Sequence, residues 1–156
     1  MIRIVLAEDQ HMLSSALASL LQLEGDIEVV AQVADGQKAL EAVRTHQPDI
    51  CLLDIEMPRL SGLDVAGVIR REGLSCKIMV VTTFARPGYL ERAMELKVEG
   101  YLLKDEPIEF LVEAIRKVHR GERVISPELA SFLFTREENP LSEREREVLR
   151  LAAEGK

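Results

Sequence analysis

Apolar residues fall into two kinds of run along this chain. The short, nearly continuous ones span Ile2 to Ala7, Ile27 to Val30, Ile50 to Leu53, Lys77 to Thr82 and Gly100 to Leu103, and read as five strands. They hardly alternate between apolar and polar positions, so both faces of each strand are expected to be covered. That is the pattern of a parallel sheet with helices on either side.

The longer runs carry apolar residues at helical spacing. The first, from about Gln10 to Leu23, repeats Met12, Leu13, Ala16, Leu17, Leu20 and Leu21, and Gly25 follows as a stop signal. A second helix is predicted from an N-cap at Asp35 to a point before Pro48, a third from Gly62 to Glu72 and a fourth from Gly88 to Leu96. The fifth begins near Pro107, which suits a first turn, turns Ile108, Leu111, Val112, Ile115 and Val118 inward, and stops at Gly121. The fold class is therefore α/β, a doubly wound (βα)5 sheet over residues 1–120. Core is the expected place for Leu21 and Val112.

Beyond Gly121 the strand signals stop. Residues 121–140 read as a linker with a short helix from Pro127 to Phe134, ending at Asn139-Pro140. Ser142 and Glu145 are then spaced as a capping box ahead of Val148, Leu149 and Leu151. One helix cannot bury its apolar face alone, so residues 141–156 are expected to open a second, truncated domain.

Composition narrows the function classes. A formal charge of −7 over 156 residues argues against a surface that grips nucleic acid throughout, because phosphate contacts need clustered Lys and Arg. Residues 121–156 carry 6 basic and 8 acidic side chains, so this tail lacks an electrostatic footprint for DNA by itself. No apolar run approaches the roughly 20 residues of a membrane span, and Glu8-Asp9 come too early for a signal peptide. A cytoplasmic protein without membrane association is expected. Cys51 and Cys76 lie in apolar stretches, as reduced buried thiols do. His11, His46 and His119 are scattered over separate helical segments and offer no metal or acid–base site.

In an open parallel sheet, functional groups gather at the carboxyl ends of the strands. Here the first strand ends in Glu8-Asp9, the third in Asp54, the fourth in Thr82-Thr83 and the fifth in Lys104-Asp105. Each has an ordinary reading alone: a solvated loop or helix cap, a turn before Pro58, a β-branched strand residue, a surface lysine. Four strand ends carrying compatible groups together are hard to reach by accident. Three close carboxylates repel unless a cation joins them, and an oxygen-only set suits Mg2+ better than zinc. Such a site fits phosphoryl transfer, with Asp54 as nucleophile and Mg2+, Lys104 and Thr82 neutralising the transferred oxygens.

With these residues in place, the chain resembles a bacterial two-component response regulator. Glu8-Asp9 is similar to that family's acidic pair, Asp54-Ile55-Glu56-Met57-Pro58 with Gly62 to its phosphoacceptor segment, and Thr82 to its switch hydroxyl. Gly100-Tyr101-Leu102-Leu103-Lys104 is similar to its final strand. Pro140 to Leu149 resembles the opening helix of a LuxR-type helix-turn-helix domain, which points to the NarL/FixJ branch. Thr82 to Tyr89 is reminiscent of that branch's regulators of membrane-lipid desaturase genes.

The resemblance implies a flavodoxin-like strand order 2-1-3-4-5 and a switch rather than an enzyme. A sensor histidine kinase would phosphorylate Asp54, with Mg2+ held by Asp9, Asp54 and the backbone carbonyl of Glu56, Glu8 assisting. Thr82 would then approach the phosphoryl group and Tyr101 rotate inward. Homodimerisation through the first and fifth helices, and DNA binding by the full-length protein, would follow. One departure is Asp105 after the site lysine, where the family often has a proline joined by a cis bond. Glu56 and Phe84, two residues beyond Asp54 and Thr82, are placed to flank an attacking water and tune the phosphoryl lifetime. The competing readings are an Mg2+-dependent aspartyl-phosphate phosphatase or phosphomutase, for which Glu56 stands where aspartate is usual, and an interaction module that works without phosphorylation.

Overall fold

The computed structural model describes residues 1–83 and 87–130. The chain divides into two units, Met1–Val124 and Ile125–Lys156. Five strands, β1 (Ile2–Ala7), β2 (Ile27–Val33), β3 (Ile50–Asp54), β4 (Lys77–Thr82) and β5 (Gly100–Leu103), pair in parallel in the order β2-β1-β3-β4-β5. The helices between them are α1 (His11–Gln22), α2 (Gly36–His46), α3 (Gly62–Glu72) and α4 (Pro87–Glu95), with α5 (Ile108–His119) after the last. This is the doubly wound α/β fold that the continuous apolar runs predict. β1 and β3, at the centre, are buried almost along their whole length. Among the described residues no helix is long and apolar enough to cross a membrane.

Several boundaries differ from the sequence reading. β2 runs on to Val33, and its register on β1 shifts so that Ile4 faces Val29 and Val5 faces Ala31, leaving Val30 as a bulge. An edge strand exposes Glu28 and Gln32, and those polar positions hide its length from a search for continuous apolar residues. Where strand signals were expected to end, β6 (Val124–Ile125) begins with the Val124 N–H donating to the Glu99 carbonyl at 2.9 Å. Two residues are too few to produce a periodic signal. Residues 127–130 are helical, at the start of the short helix expected there. The rest of that helix, the remainder of the linker and the expected opening helix of a helix-turn-helix domain lie outside the described residues.

α1 shows how packing chooses among apolar residues. Ser14, Ala18 and Leu21 are buried, whereas Met12, Leu20 and Leu23 are 88%, 42% and 80% exposed. Leu13 and Leu17 are half-buried and Ala16 is exposed. Ser14 settles inside because its hydroxyl donates to Gln32 Oε1 at 3.2 Å. In α5, Val112, Ala114, Ile115 and Val118 are buried, while Ile108 and Leu111 are only half-buried. Pro107 takes the N-cap rather than the first turn, since its ψ of 149° is extended.

The loop from Ile55 to Ser61 carries the end of β3 into α3 and is gripped from both sides. Asp35 caps α2 by accepting from the Lys38 N–H at 2.8 Å and pairs with Arg59 at 3.6 Å. The Gly36 N–H donates to the Pro58 carbonyl at 3.4 Å, and a Cβ on Gly36 would collide with Leu60. On the inner side the Gly62 N–H donates to the Ile55 carbonyl at 2.9 Å, and a Cβ there would lie 2.5 Å from the Asp54 carbonyl oxygen. Backbone on both sides of the collision leaves little room to yield. Gly36→Ala and Gly62→Ala are each expected to cost about 1–3 kcal/mol by denaturant unfolding. Gly88→Ala, where a Cβ meets nothing within 4 Å, is expected to be neutral or to gain up to ~1 kcal/mol.

Candidate functional site

The carboxyl ends of four successive strands in the sheet, β1, β3, β4 and β5, meet at one place. β1 delivers Glu8, β3 delivers Asp54 and β5 delivers Lys104, whose backbone N–H donates to the Thr82 carbonyl at the end of β4, 2.9 Å away. The Lys104 ammonium lies 2.9 Å from Asp54 Oδ2 and 3.0 Å from Glu8 Oε1. Glu8, Asp54 and Thr82 are buried, and the Lys104 side chain is 16% exposed. Asp9 is exposed at the rim. The Glu8 carboxylate also accepts from the Gln10 N–H at 3.0 Å, so it fixes the approach to α1 while facing the cluster. The Glu56 N–H donates to Asp54 Oδ1 at 3.1 Å and closes the turn after the strand.

The electrostatics follow from burial and two carboxylates sharing one cation. Burial, with the charge of Glu8 adding to it, pushes Asp54 from the ordinary 3.8 up to about 6, although Lys104 and the Glu56 N–H pull the other way. Burial alone would lower Lys104, but its hydrogen bonds to Asp54 and Glu8 more than offset that and raise it. One ammonium therefore does not fully compensate the site. Ligand oxygens of Glu8, Asp9 and Asp54 lie within 4.8 Å of one another, the only such group among the described residues. An all-oxygen donor set with uncompensated negative charge and an exposed rim fits a hard divalent cation that keeps several waters.

The structure brings together Glu8, Asp9, Asp54 and Lys104, and sets Thr82 on the intervening strand. Glu56 sits two residues beyond Asp54 in the closing turn. Tyr101, which the sequence reading has turning inward on activation, is already 1% exposed, and its buried hydroxyl accepts and donates no hydrogen bond. Burial pushes that phenol up to about 12. Phe84 lies outside the described residues. All described peptide bonds are trans, including Lys104–Asp105. Cys51 and Cys76 are buried and free, and burial raises both thiols, Cys76 to about 11. No histidine belongs to the group of candidate ligands found among the described residues. Gly36 was missed as part of the site's support: the Asp-Gly pair reads as a cap, and only the fold shows Leu60 against it. Glu106, whose Oε1 is buried without a partner, had no sequence signal at all.

Residues 4–116 match the response regulator receiver domain family. The chain is 54% identical to the transcriptional regulatory protein YvfU of Bacillus subtilis over all 156 residues, 78% of that protein. It is 53% identical to the transcriptional regulatory protein DesR of the same organism, covering 77% of it. The crystal structure of a LuxR-family DNA-binding response regulator from Staphylococcus aureus superposes with a TM-score of 0.74 at 43% identity, over 76% of this chain and 99% of that one.

The shared cation gives a titration to measure. In metal-free protein the Asp54 carboxyl is expected to titrate near pH 6 by carbon NMR, and Lys104→Met to move that midpoint upward, since Lys104 lowers it. Folded Asp54 holds a proton that the unfolded chain has released, so stability is expected to fall as pH rises from about 4 to about 6. Asp54→Asn is expected to flatten this slope in denaturant unfolding at a series of pH values.

Proposed function

Because the chain belongs to the response regulator receiver family, in the LuxR-type branch of two-component regulators of transcription, we propose that Asp54 is its phosphoacceptor. The observation that carries this is the cluster in which Lys104 bridges Asp54 and Glu8 beside Asp9. In this reading residues 1–120 are the receiver, 121–140 the linker and 141–156 the opening of a LuxR-type DNA-binding domain, so contact with DNA belongs to the full-length protein.

Glu8, Asp9, Asp54 and the backbone carbonyl of Glu56 would hold Mg2+, which when bound supplies positive charge against phosphoryl oxygens. An Asp54 oxygen attacks the phosphorus of a phosphohistidine on a sensor kinase. The phosphorus–nitrogen bond breaks, its electron pair returns to the imidazole, and an acyl phosphate remains on Asp54. Lys104 is already within ion-pair distance of Asp54 and meets the new oxygens without a large movement. The Thr82 hydroxyl donates to the same group. Tyr101, buried on the neighbouring strand β5, would act with Thr82 as the switch pair that carries the change at Asp54 to the β4–β5 end of the sheet.

Phosphorylation is read out as homodimerisation through α1 and α5. The exposed Met12, Leu20 and Leu23 give α1 an apolar outer strip suited to that contact. The protein acts as a cytoplasmic switch rather than an enzyme, the phosphoryl group staying on the chain instead of turning over a metabolite.

The test is intact mass after incubation with acetyl phosphate and Mg2+, paired with light scattering after size exclusion. A gain of about 80 Da that is absent from Asp54→Ala, with a rise in molar mass, is the expected result. Thr82→Ala is expected to keep the mass gain and lose most of the rise in molar mass. Repeated turnover of a phosphorylated metabolite would favour the phosphatase reading, and an unmodified Asp54 would leave the phosphorylation-independent module.

A further inference from the structure

The loop between β3 and α3 contains a turn of an uncommon kind. The Leu60 N–H donates to the Pro58 carbonyl at 2.8 Å, closing three residues around Arg59, whose φ is 71°. This is the strained form of the three-residue turn, and a residue with a Cβ keeps it only where its surroundings hold it there. The surroundings are the start of α2. The Pro58 carbonyl accepts a second bond from the Gly36 N–H at 3.4 Å, and Arg59 Nε lies 3.6 Å from Asp35 Oδ2. Asp35 divides its carboxylate, since its Oδ1 accepts from the Lys38 N–H at 2.8 Å and caps the helix.

The place of this turn matters because the loop is short and closed. Its entry is fixed by the Glu56 N–H on Asp54 Oδ1 at 3.1 Å. Its exit is fixed by the Gly62 N–H on the Ile55 carbonyl at 2.9 Å and by the Ser61–Asp64 capping box. Between Glu56 and Arg59 stand Met57, whose side chain is buried, and Pro58, whose ring locks φ. Little torsional freedom therefore separates the turn from the Glu56 carbonyl, and a shift of Arg59 is passed on to that oxygen. The second oxygen of Asp35 has no part in capping α2, so its charge is available to hold the turn.

We propose that Asp35 and Arg59 are positioning residues, a pair outside the acidic cluster that sets the Glu56 carbonyl for a divalent cation. This rests on the reading of Glu8, Asp9, Asp54 and that carbonyl as the Mg2+ ligands. Groups that orient a ligating atom from behind are felt in metal affinity even though they never touch the metal. The Arg59 side chain is 69% exposed, so its ion pair is weak and the effect is correspondingly modest.

The test titrates the chain with MgCl2 and follows amide shifts by NMR. Asp35→Asn keeps a capping oxygen for α2 while losing the charge, and Arg59→Asn keeps a residue that tolerates positive φ. Each is expected to weaken Mg2+ binding about three-fold, the weight of an exposed ion pair, and the double variant to bind no more weakly than either single one. Arg59→Lys, which restores the charge, is expected to bind Mg2+ as the unaltered chain does. In metal-free protein Asp35→Asn is expected to move the Met57 amide, which belongs to the loop and not to α2. Unchanged affinity in both single variants, losses that multiply in the double variant, or a loss in Arg59→Lys equal to that in Arg59→Asn overturns the positioning role. Failure of the unaltered chain to bind Mg2+ overturns the reading of the ligand set, and the proposal with it. Arg59 lies at the surface, so its variants decide even where Asp35→Asn fails to fold.

Discussion

Two acidic side chains, from the first and third strands, point into the same small volume, and both are buried. Left alone they would repel each other and resist ionising. The ammonium of Lys104, arriving from the fifth strand, lets both carry charge within 3.0 Å of it. Removing one partner of such a buried set usually costs about 3–5 kcal/mol, because the remaining charge stays buried without compensation. The compensation is nevertheless incomplete: Asp54 stays near 6, so burial and Glu8 outweigh Lys104. A site held just short of neutrality attracts further positive charge, and that residual demand links the fold's geometry to its chemistry.

Holding Asp54 in place is a matter of backbone as much as charge. The turn after β3 closes on the aspartate's own Oδ1 through the Glu56 N–H. Gly62 lies against the Asp54 backbone, and Gly36 lets the start of α2 press on Leu60. The loop is thus enclosed by main-chain atoms, which yield less readily than side-chain tips. Arg59 accepts a φ of 71° within it, a strained conformation that its surroundings must maintain.

Much of this was legible in the sequence. Strands buried on both faces show as unbroken apolar runs, and a parallel sheet collects function at its strand ends, so Glu8, Asp9, Asp54, Thr82 and Lys104 could be picked out before any coordinates. What escaped was decided by packing partners distant in sequence. α1 carries more apolar residues than one face can bury, and periodicity alone did not show that Ser14 and Ala18 go inside while Leu20 stays out. The bulge at Val30 depends on β1, and the role of Gly36 depends on a loop more than twenty positions away. Tyr101 was placed in its strand correctly, but whether its ring faces solvent is settled by side-chain packing that a strand pattern does not encode.

The bulge in β2 bears on how this sheet avoids company. β2 stands at the edge of the sheet order, where unpaired backbone groups are a template for another chain's strand. An extra residue at Val30 bends the strand and increases its local twist, so a straight incoming strand cannot keep register along it. Glu28 and Gln32 are exposed on the same strand, and a second copy pairing in parallel and in register would bring carboxylate against carboxylate. The bulge and the exposed polar positions of β2 therefore together protect the folded protein from joining edge to edge with its own copies.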